Sequence, residues 1–358
     1  MSLNFSKKMG KPLFDLSVVV ATRNRLPELR RMLRSLEAQS VDLREVIIVD
    51  GSDIPLGGCF NEFENLPIRY VRCFPPSSTK QRNEGIKTVS PESEYIGFLD
   101  DDVILEPGAL VAMREFWQSS ADNTGGAALN MTNHPPLEWP FLKTSRLAEI
   151  LGLYSSRKGA VMRSGFQTMI GPVQVVTHCD WLPTTAVVWR KRVFESFRFD
   201  EWFDGYSYLE DLDFSYRVGK EFTLVLVPGS RYSHFPGACG RGNGFAFGLR
   251  EVRNRLYFVG KNPELSRLRC VSALSVRSLM NLGLAIRRKE AYYLQRFLGN
   301  LTGLARAAVS SGRGRRSPGP GRHSGSGSGP MPRMLREREA LDGRWRTDGP
   351  VEPTRGEK

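Results

Sequence analysis

The stretch Tyr95-Ile96-Gly97-Phe98-Leu99-Asp100-Asp101-Asp102-Val103 constrains this chain more than any other. Five mostly apolar residues bounded by polar clusters suit a β-strand covered on both faces, as in a parallel sheet. Three consecutive acids at the carboxyl end of such a strand repel one another and call for a cation opposite them. Ligands of open α/β sheets gather outside the carboxyl ends of the strands, so a divalent metal carrying a phosphate is the natural candidate. In an extended segment Asp100 and Asp102 point to one side and Asp101 to the other, which makes a D-x-D pair. The competing possibility is a charged loop that caps a helix starting at Pro107.

The residues before this stretch supply a matching half-sheet. Leu16-Ser17-Val18-Val19-Val20-Ala21 is a β-branched run suited to a central strand, and it leads into Thr22-Arg23-Asn24-Arg25. Pro27 opens a helix whose Leu29, Met32, Leu33 and Leu36 fall at i, i+3, i+4 and i+7, on one face. Val46-Ile47-Ile48-Val49 then makes a second buried strand, ending at Asp50-Gly51-Ser52-Asp53. Strand, helix and strand, with polar residues at the strand ends, form the βαβ unit of a mononucleotide-binding half-sheet. No G-x-G-x-x-G follows the first strand, which argues against an ordinary dinucleotide site. After a third strand at residues 68–72, Ser77-Ser78-Thr79 starts a helix with Lys80, Arg82 and Asn83 in its first turns. Cations there oppose the helix dipole, so they serve a ligand, and a diphosphate at that N-terminus uses both. Residues 107–119 read as a helix with Leu110, Met113, Phe116 and Trp117 inward.

From about residue 123 to 176 the periodicity loosens around Gly125-Gly126 and Pro135-Pro136. The segment reads as a variable insertion, where acceptor recognition would be placed. His134 and His178 sit there as ordinary structural or surface histidines. Order returns with the strand Ala186-Val187-Val188-Trp189, a helix near residues 191–194, Phe199-Asp200-Glu201, and a second acidic run from Glu210 to Arg217. Asp213 and Arg217 stand at i, i+4 as a structural pair. Glu210 and Asp211 suit the start of a helix, and a carboxylate held there beside a sugar pocket can also serve as a general base. A short strand at residues 224–227 precedes Ser233-His234-Phe235, and His234 at a strand end is a candidate third metal ligand.

Composition narrows the classes further. A chain of 358 residues can bury a large core. Five cysteines, at 59, 73, 179, 239 and 270, show no metal-ligand spacing and leave one over, which points to a reducing cytoplasm and no zinc site. Met1 to Lys11 lacks the apolar segment of a signal peptide, and no uncharged apolar run approaches the ~18 residues of a membrane span. The net charge of +13 is unevenly spread: residues 1–266 hold 32 Lys and Arg against 31 Asp and Glu, 267–310 hold 8 against 1, and 311–358 hold 11 against 6. A nearly neutral body with a basic end places the chemistry in the body and an anionic surface at the end.

In their order along the chain these marks resemble a family 2 glycosyltransferase of the GT-A fold, an inverting nucleotide-sugar enzyme of the kind that builds bacterial polysaccharides. The resemblance covers about residues 13–262. It rests on Thr22-Arg23-Asn24-Arg25, Asp50-Gly51-Ser52, Arg82-Asn83-x-Gly85, Asp100 to Asp102, Phe199-Asp200-Glu201, the E-D-x-D-F-x-x-R run from Glu210, and His234. It implies an α/β fold, a mixed sheet with helices on both faces, with a nucleotide-sugar half at about 13–105 and an acceptor half at about 123–262. It further implies that Thr22, Arg23, Asn24, Arg25, Asp50, Ser52, Lys80, Arg82, Asn83, Asp100 and Asp101 bind the nucleotide sugar. Asp100, Asp102 and His234 would hold Mg²⁺ or Mn²⁺ with the diphosphate, and Asp211, with Glu210 beside it, would be the base. Two departures stand out. Thr184-Thr185 occupy a place where many relatives carry glycine, so the acceptor side of the pocket differs, and the absence of a Q-x-x-R-W run and of membrane spans argues against a processive synthase.

The chemistry agrees with the residues. Displacing a nucleoside diphosphate from a sugar requires a deprotonated acceptor on one face and a neutralised leaving group on the other. A metal on Asp100 and Asp102 would supply the second as a Lewis acid, and one carboxylate, Asp211, the first. Hydrolytic glycosidases need two carboxyl groups because their leaving group is an alcohol. Single displacement inverts the anomeric centre.

The end of the chain departs from this core. Residues 263–310 read as a basic helical extension, in which Leu294, Phe297, Leu298, Leu301, Ala305 and Ala308 share one helix face and Arg296, Asn300 and Arg306 lie away from it. That face either packs on the catalytic domain or lies on an anionic membrane. Residues 1–12 form a leader, and 311–358, rich in Gly, Ser, Pro and Arg, a disordered tail. The expected partners are a nucleoside-diphosphate sugar, a glycan or lipid-linked acceptor, and an anionic membrane surface met through residues 267–310, with the protein cytoplasmic or peripheral at the inner face. Nucleic acid is not expected. The alternatives are a non-catalytic nucleotide-sugar binding module, or a sugar nucleotidyltransferase, which would usually carry a Gly-rich basic loop where Thr22 to Arg25 stand.

Overall fold

β-branched and apolar runs form β1 (Leu16–Thr22), β2 (Glu45–Asp50), β3 (Ile68–Arg72) and β4 (Tyr95–Leu99), which pair in parallel in the order β3-β2-β1-β4. The structure, a computed structural model, describes residues 14–135, 139, 145–205, 207–237 and 243–313. The expected leader and all but the first residues of the expected tail lie outside them. Beyond β4 the sheet turns mixed. β8 (Ala186–Arg190) runs antiparallel to β4, β6 (Thr124–Met131) antiparallel to β8, β9 (Thr223–His234) parallel to β6, and β5 (Val103–Leu105) antiparallel to β9. A short β7 (Thr177–His178) pairs with β9 off this path.

Alternation along the central strands gives each face of the sheet its own core. Val18, Val20, Val46 and Ile48 pack against α1 (Leu26–Glu37) and α3 (Ala109–Ser119), while Val19, Ile47, Val49 and Phe98 face α2 (Ser78–Thr88), α5 (Val193–Ser196) and α6 (Glu210–Val218). The buried side of α1 consists of Leu29, Met32, Leu33 and Leu36, as their spacing requires. α7 (Gly244–Lys261) and α8 (Arg267–Arg288) add to the second core, and a short α4 (Arg146–Ile150) and a long α9 (Ala291–Arg313) complete the order.

Three expectations need correction. Asp100 to Asp102 do not continue the strand: they form a turn between β4 and β5, closed by Val103 N donating to Asp100 O at 3.4 Å. Residues 123–176 are not all insertion, because 124–131 are a sheet strand. Gly125 and Gly126 there are packing residues: a Cβ on Gly126 would lie 2.5 Å from the Trp189 ring, and one on Gly125 2.5 Å from Phe222 Cβ. Leu224 to His234 is one strand rather than two pieces, running through Pro228-Gly229 with a register shift against β6.

For α9, whose apolar face was left open between the domain and a membrane, that face points away from the protein. Leu294, Leu298, Leu301 and Val309 are 44–58% exposed, whereas Asn300 is fully buried. Arg296 forks onto Glu251 at 2.9 and 3.1 Å, and Asn300 bonds Asn281, the Gly248 carbonyl and Glu251. Helix α9 therefore docks mainly by its polar and small residues, with Leu304 beside them against the core. A Cβ on Gly248 would lie 2.3 Å from the Arg296 carbonyl, and one on Gly299 2.2 Å from that of Phe245.

Candidate active site

The strand ends and the start of α6 enclose a cavity of about 580 Å³ lined by Thr22, Arg23, Asn24, Arg25, Arg82, Asp100, Asp101, Glu210, Asp211 and His234, among others. Each group is placed by local physics. Gly85 lets α2 approach the sheet, since a Cβ there would lie 2.3 Å from Val19 Cγ1, and Arg82 then reaches the carboxyl ends of the strands. Its guanidinium bonds Glu210 on one side and Asp100, at 3.0 Å, on the other. Arg25 bridges Asp101 and Asp102, both at 2.8 Å, and Thr22 donates to Asp101 at 2.8 Å. The acidic turn is thus compensated by two arginines of this chain. Pairing of Val103 with His234 brings the imidazole beside the turn, and Phe235 N donates to Asp102 O at 2.9 Å.

Asp100, Asp102 and His234 each offer a ligand atom within 4.8 Å of the others. His234 Nε2 lies 3.0 Å from Asp102 Oδ1, and that buried oxygen has no partner in hydrogen-bond geometry. An orphaned carboxylate oxygen beside an imidazole is what a cation site leaves. Two carboxylates and an imidazole suit Mg²⁺ or Mn²⁺, the imidazole favouring the softer Mn²⁺. The pair sits together because the turn folds Asp102 back toward Asp100, not because a strand alternates.

Residues 17–170 match the family model described as Glycosyl transferase family 2. Residues 17–170, the half-sheet and the acidic turn included, are thus similar to family 2 glycosyltransferases. Among solved structures, residues 1–349 of TarS from S. aureus share 15% identity with it, over 82% of this chain and 80% of that one, with a TM-score of 0.50. Mannosyltransferase PcManGT from Pyrobaculum calidifontis, solved with GDP-Man and Mn²⁺, shares 12% over 86% and 89%, with a TM-score of 0.47. No curated protein matches the sequence. At these identities the likeness to TarS is one of fold, and the mixed sheet with its flanking helices is the GT-A arrangement.

Glu210, Asp211 and His234 lie beyond the matched stretch, so what is said of them rests on geometry. Glu210 is held by Arg82. Asp211 Oδ1 accepts from Leu212 N at 2.7 Å, and its Oδ2 makes no hydrogen bond among the described residues. The backbone before them is left-handed at Ser207 (φ 48°) and Leu209 (φ 75°), which costs ~1–3 kcal/mol for each such residue. Bonds from Ser207 Oγ to the Phe203 and Gly205 carbonyls hold it. Burial pushes the Asp211 carboxyl up to about 6, against the Leu212 amide and Arg82. Burial also raises Glu210, with Arg82 opposing, and lifts Asp101 to about 7 in spite of Arg25 and Thr22. Asp102 is raised by burial but lowered more by His234 and Arg25, so it stays below the usual carboxylate range.

Four of the expected donor-binding residues stand off the cavity wall. Asp50 is fully buried, and its carboxylate accepts from Ser52 N, Leu56 N, Tyr70 and Arg72 at 2.7–3.0 Å, which fixes the loop after β2. Ser52 accepts from the Asn24 amide at 2.8 Å and so supports the Thr22-to-Arg25 turn from behind. Asn83 clasps the 199–201 loop through the Phe199 backbone and Glu201. Lys80 is in the first turn of α2 and does not line the cavity. Cavity residues that the sequence did not single out include Gln81, Gln167 and Tyr208. Gln81 was legible as a neighbour of Arg82 on the helix, and Tyr208 as a neighbour of the Glu210 pair; no signal marked Gln167.

Proposed function

We propose that this glycosyltransferase is metal-dependent and inverting, moving a sugar from a nucleoside diphosphate to a hydroxyl of a glycan or lipid-linked acceptor. The observation that carries this reading is one cavity that holds Asp211 together with Asp100 of the Asp100, Asp102 and His234 cluster, with the Arg82 guanidinium tying Asp100 to Glu210 beside it. A divalent ion bound by that cluster would neutralise the departing diphosphate as a Lewis acid. Asp211 takes the acceptor's proton through its unengaged Oδ2. The acceptor oxygen forms its bond to the anomeric carbon as the bond to the diphosphate breaks, and the leaving group keeps the electron pair. Glu210 is unsuited to the base role because Arg82 occupies it. Arg23, Asn24 and Arg25 border the nucleotide end of the cavity.

The test is a thermal-shift screen of uridine, guanosine, thymidine and cytidine diphosphate sugars with and without Mn²⁺, since a ligand of the native state raises its stability. One base should give a Mn²⁺-dependent shift, and Asp102→Asn should remove the metal-dependent part while the donor's metal-free binding persists. A shift that Mn²⁺ does not change in either protein rules out the metal role.

The lipid-linked acceptor and a place at the inner face of the membrane form part of the same proposal. They are supported by the outward apolar stripe of α9 together with the basic residues of 267–310, which complement an anionic bilayer. No described helix is long and apolar enough to cross a membrane.

A further inference from the structure

A second hollow of about 490 Å³ meets the first at Gln167 and Tyr208, which line both. Its walls carry Arg157, Lys158, Arg255 and Arg277 against one carboxylate, Glu251. Glu251 is already occupied by the Arg296 fork and by Asn300, and Arg157 is paired with Asp180. Lys158 donates to the Pro172 carbonyl. Arg255 differs from these. It is 2% exposed, yet it meets only neutral groups: the Gly165 carbonyl at 2.5 Å, Gln167 Oε1 at 3.0 Å and the Tyr208 hydroxyl at 3.5 Å. Its guanidinium lies over the Phe166 ring, 4.0 Å from the centroid, and its buried Nε has no partner. Among the described residues no carboxylate lies within ion-pair distance of it. Burying a cation without a counter-charge is costly, and a cavity wall is where an exchangeable anion repays it.

We propose that the second hollow is the acceptor site and that it recognises a phosphate-bearing acceptor, held through Arg255 and Arg277, whose hydroxyl passes Gln167 and Tyr208 to reach Asp211. A guanidinium fork matches phosphate oxygens two at a time, which a lone ammonium does not. Tyr154, Phe166 and Tyr208 add flat apolar surface beside it. The word acceptor rests on the transferase reading, whereas the anion site rests on Arg255 and its surroundings.

Inorganic phosphate titrated into the full-length protein at constant ionic strength, followed by calorimetry, tests this directly. Saturable binding is expected in the wild type, weakened by roughly tenfold or more in Arg255→Gln and by less in Arg277→Ala. Arg82→Gln, on the donor side, should leave it unchanged. If Arg255→Gln fails to fold, Arg277→Ala and Lys158→Ala on the same wall decide the matter. Competition identifies the source: tighter displacement by farnesyl phosphate than by glycerol 3-phosphate indicates a lipid-linked acceptor, and the reverse a soluble one. Absence of saturable phosphate binding, or binding that the wall variants leave unchanged, overturns the site. Phosphate binding in a protein that takes up no nucleotide sugar upholds the anion site and fails the transferase reading instead.

Discussion

Replacing Leu298 and Leu301 with glutamate should detach the protein from anionic membranes without disturbing its fold. Leu294, Leu298, Leu301 and Val309 are each about half exposed, and at 100° per residue they fall within a sector of about 80°, with Ala305 and Ala308 between or beside them. Full burial of such a side chain is worth ~1.5–3 kcal/mol, so completing the half that remains gives about 1 kcal/mol each. The four together contribute about 4 kcal/mol on a bilayer. Basic residues near an anionic surface add about 1 kcal/mol each. The double variant forfeits about 2 kcal/mol of apolar contact, and its two new anions cost about 2 kcal/mol more by the same surface potential. A loss of about 4 kcal/mol is roughly a thousandfold in partition constant. The assay is co-sedimentation with phosphatidylglycerol vesicles at low salt, with phosphatidylcholine vesicles as the neutral control and thermal melting to verify the fold. Two results refute the reasoning: a wild type that ignores anionic vesicles, and a double variant that sediments as the wild type does.

Four other consequences can be measured. Asp211→Asn keeps shape but removes the proton acceptor, so donor binding should persist while turnover falls by roughly 10²–10⁴; near-normal turnover would transfer the role to Glu210 or the substrate. With its carboxyl at about 6, Asp211 is deprotonated above that pH, so kcat/KM should fall about tenfold per unit below its pKa. A cation bound next to Asp100 lowers that pKa, which can only move the limb to more acid pH. Gly248→Ala places a methyl group against backbone on both sides of the α7–α9 contact, where neither wall can yield, and should cost about 3 kcal/mol, the upper end for overpacking, in urea melts. Arg296→Leu leaves Glu251 buried with only the Asn300 amide bonded to it and the charge of Arg277 nearby, at about 3 kcal/mol, the lower end for a broken buried pair. Burial raises the Glu251 carboxyl, but Arg296 and Arg277 outweigh it and hold it at about 2. Its contribution is therefore complete above the unfolded carboxylate range and is lost as pH falls toward 2, an acid limb that the variant should lack.

The half-sheet was legible because its strands are buried on both faces and its helix α1 shows one apolar side; those patterns follow from local chemistry. β6 was not, because its signal is the absence of side chains. Gly125, Gly126, Ala127 and Ala128 read as a loop until Phe222 and Trp189, about 60 to 100 residues further on, are placed over the two glycines. The same holds for Pro228-Gly229, which punctuates a strand only because the register slips there. At the site, charged residue types were easy to find and hard to assign. Asp50 and Asn83 are as polar as Asp100, yet they serve the loops behind the wall, and only their saturated hydrogen bonds reveal it. The polarity of α9 was legible, and its direction was left open between the domain and a membrane. Amphipathic spacing shows that a helix has two sides but not which side faces home, and here Gly248, Gly299 and the Glu251–Arg296 pair decide it.

Arg82 explains why the two acidic runs, about 110 residues apart in the chain, work as one site. Asp100 and Glu210 would repel across the cavity if left to themselves, and each is held at hydrogen-bond distance from the same guanidinium. A lysine at that position could neutralise one carboxylate at a time, because a single ammonium lacks the fork that meets both. The arrangement also separates the roles of Glu210 and Asp211, which adjoin in sequence. Burial raises both carboxyls, but the bond from Arg82 commits Glu210 to bracing the wall, while Asp211 keeps one of its oxygens open. Two neighbouring carboxylates are thus set apart by one arginine, at a helix start held in place by left-handed Leu209.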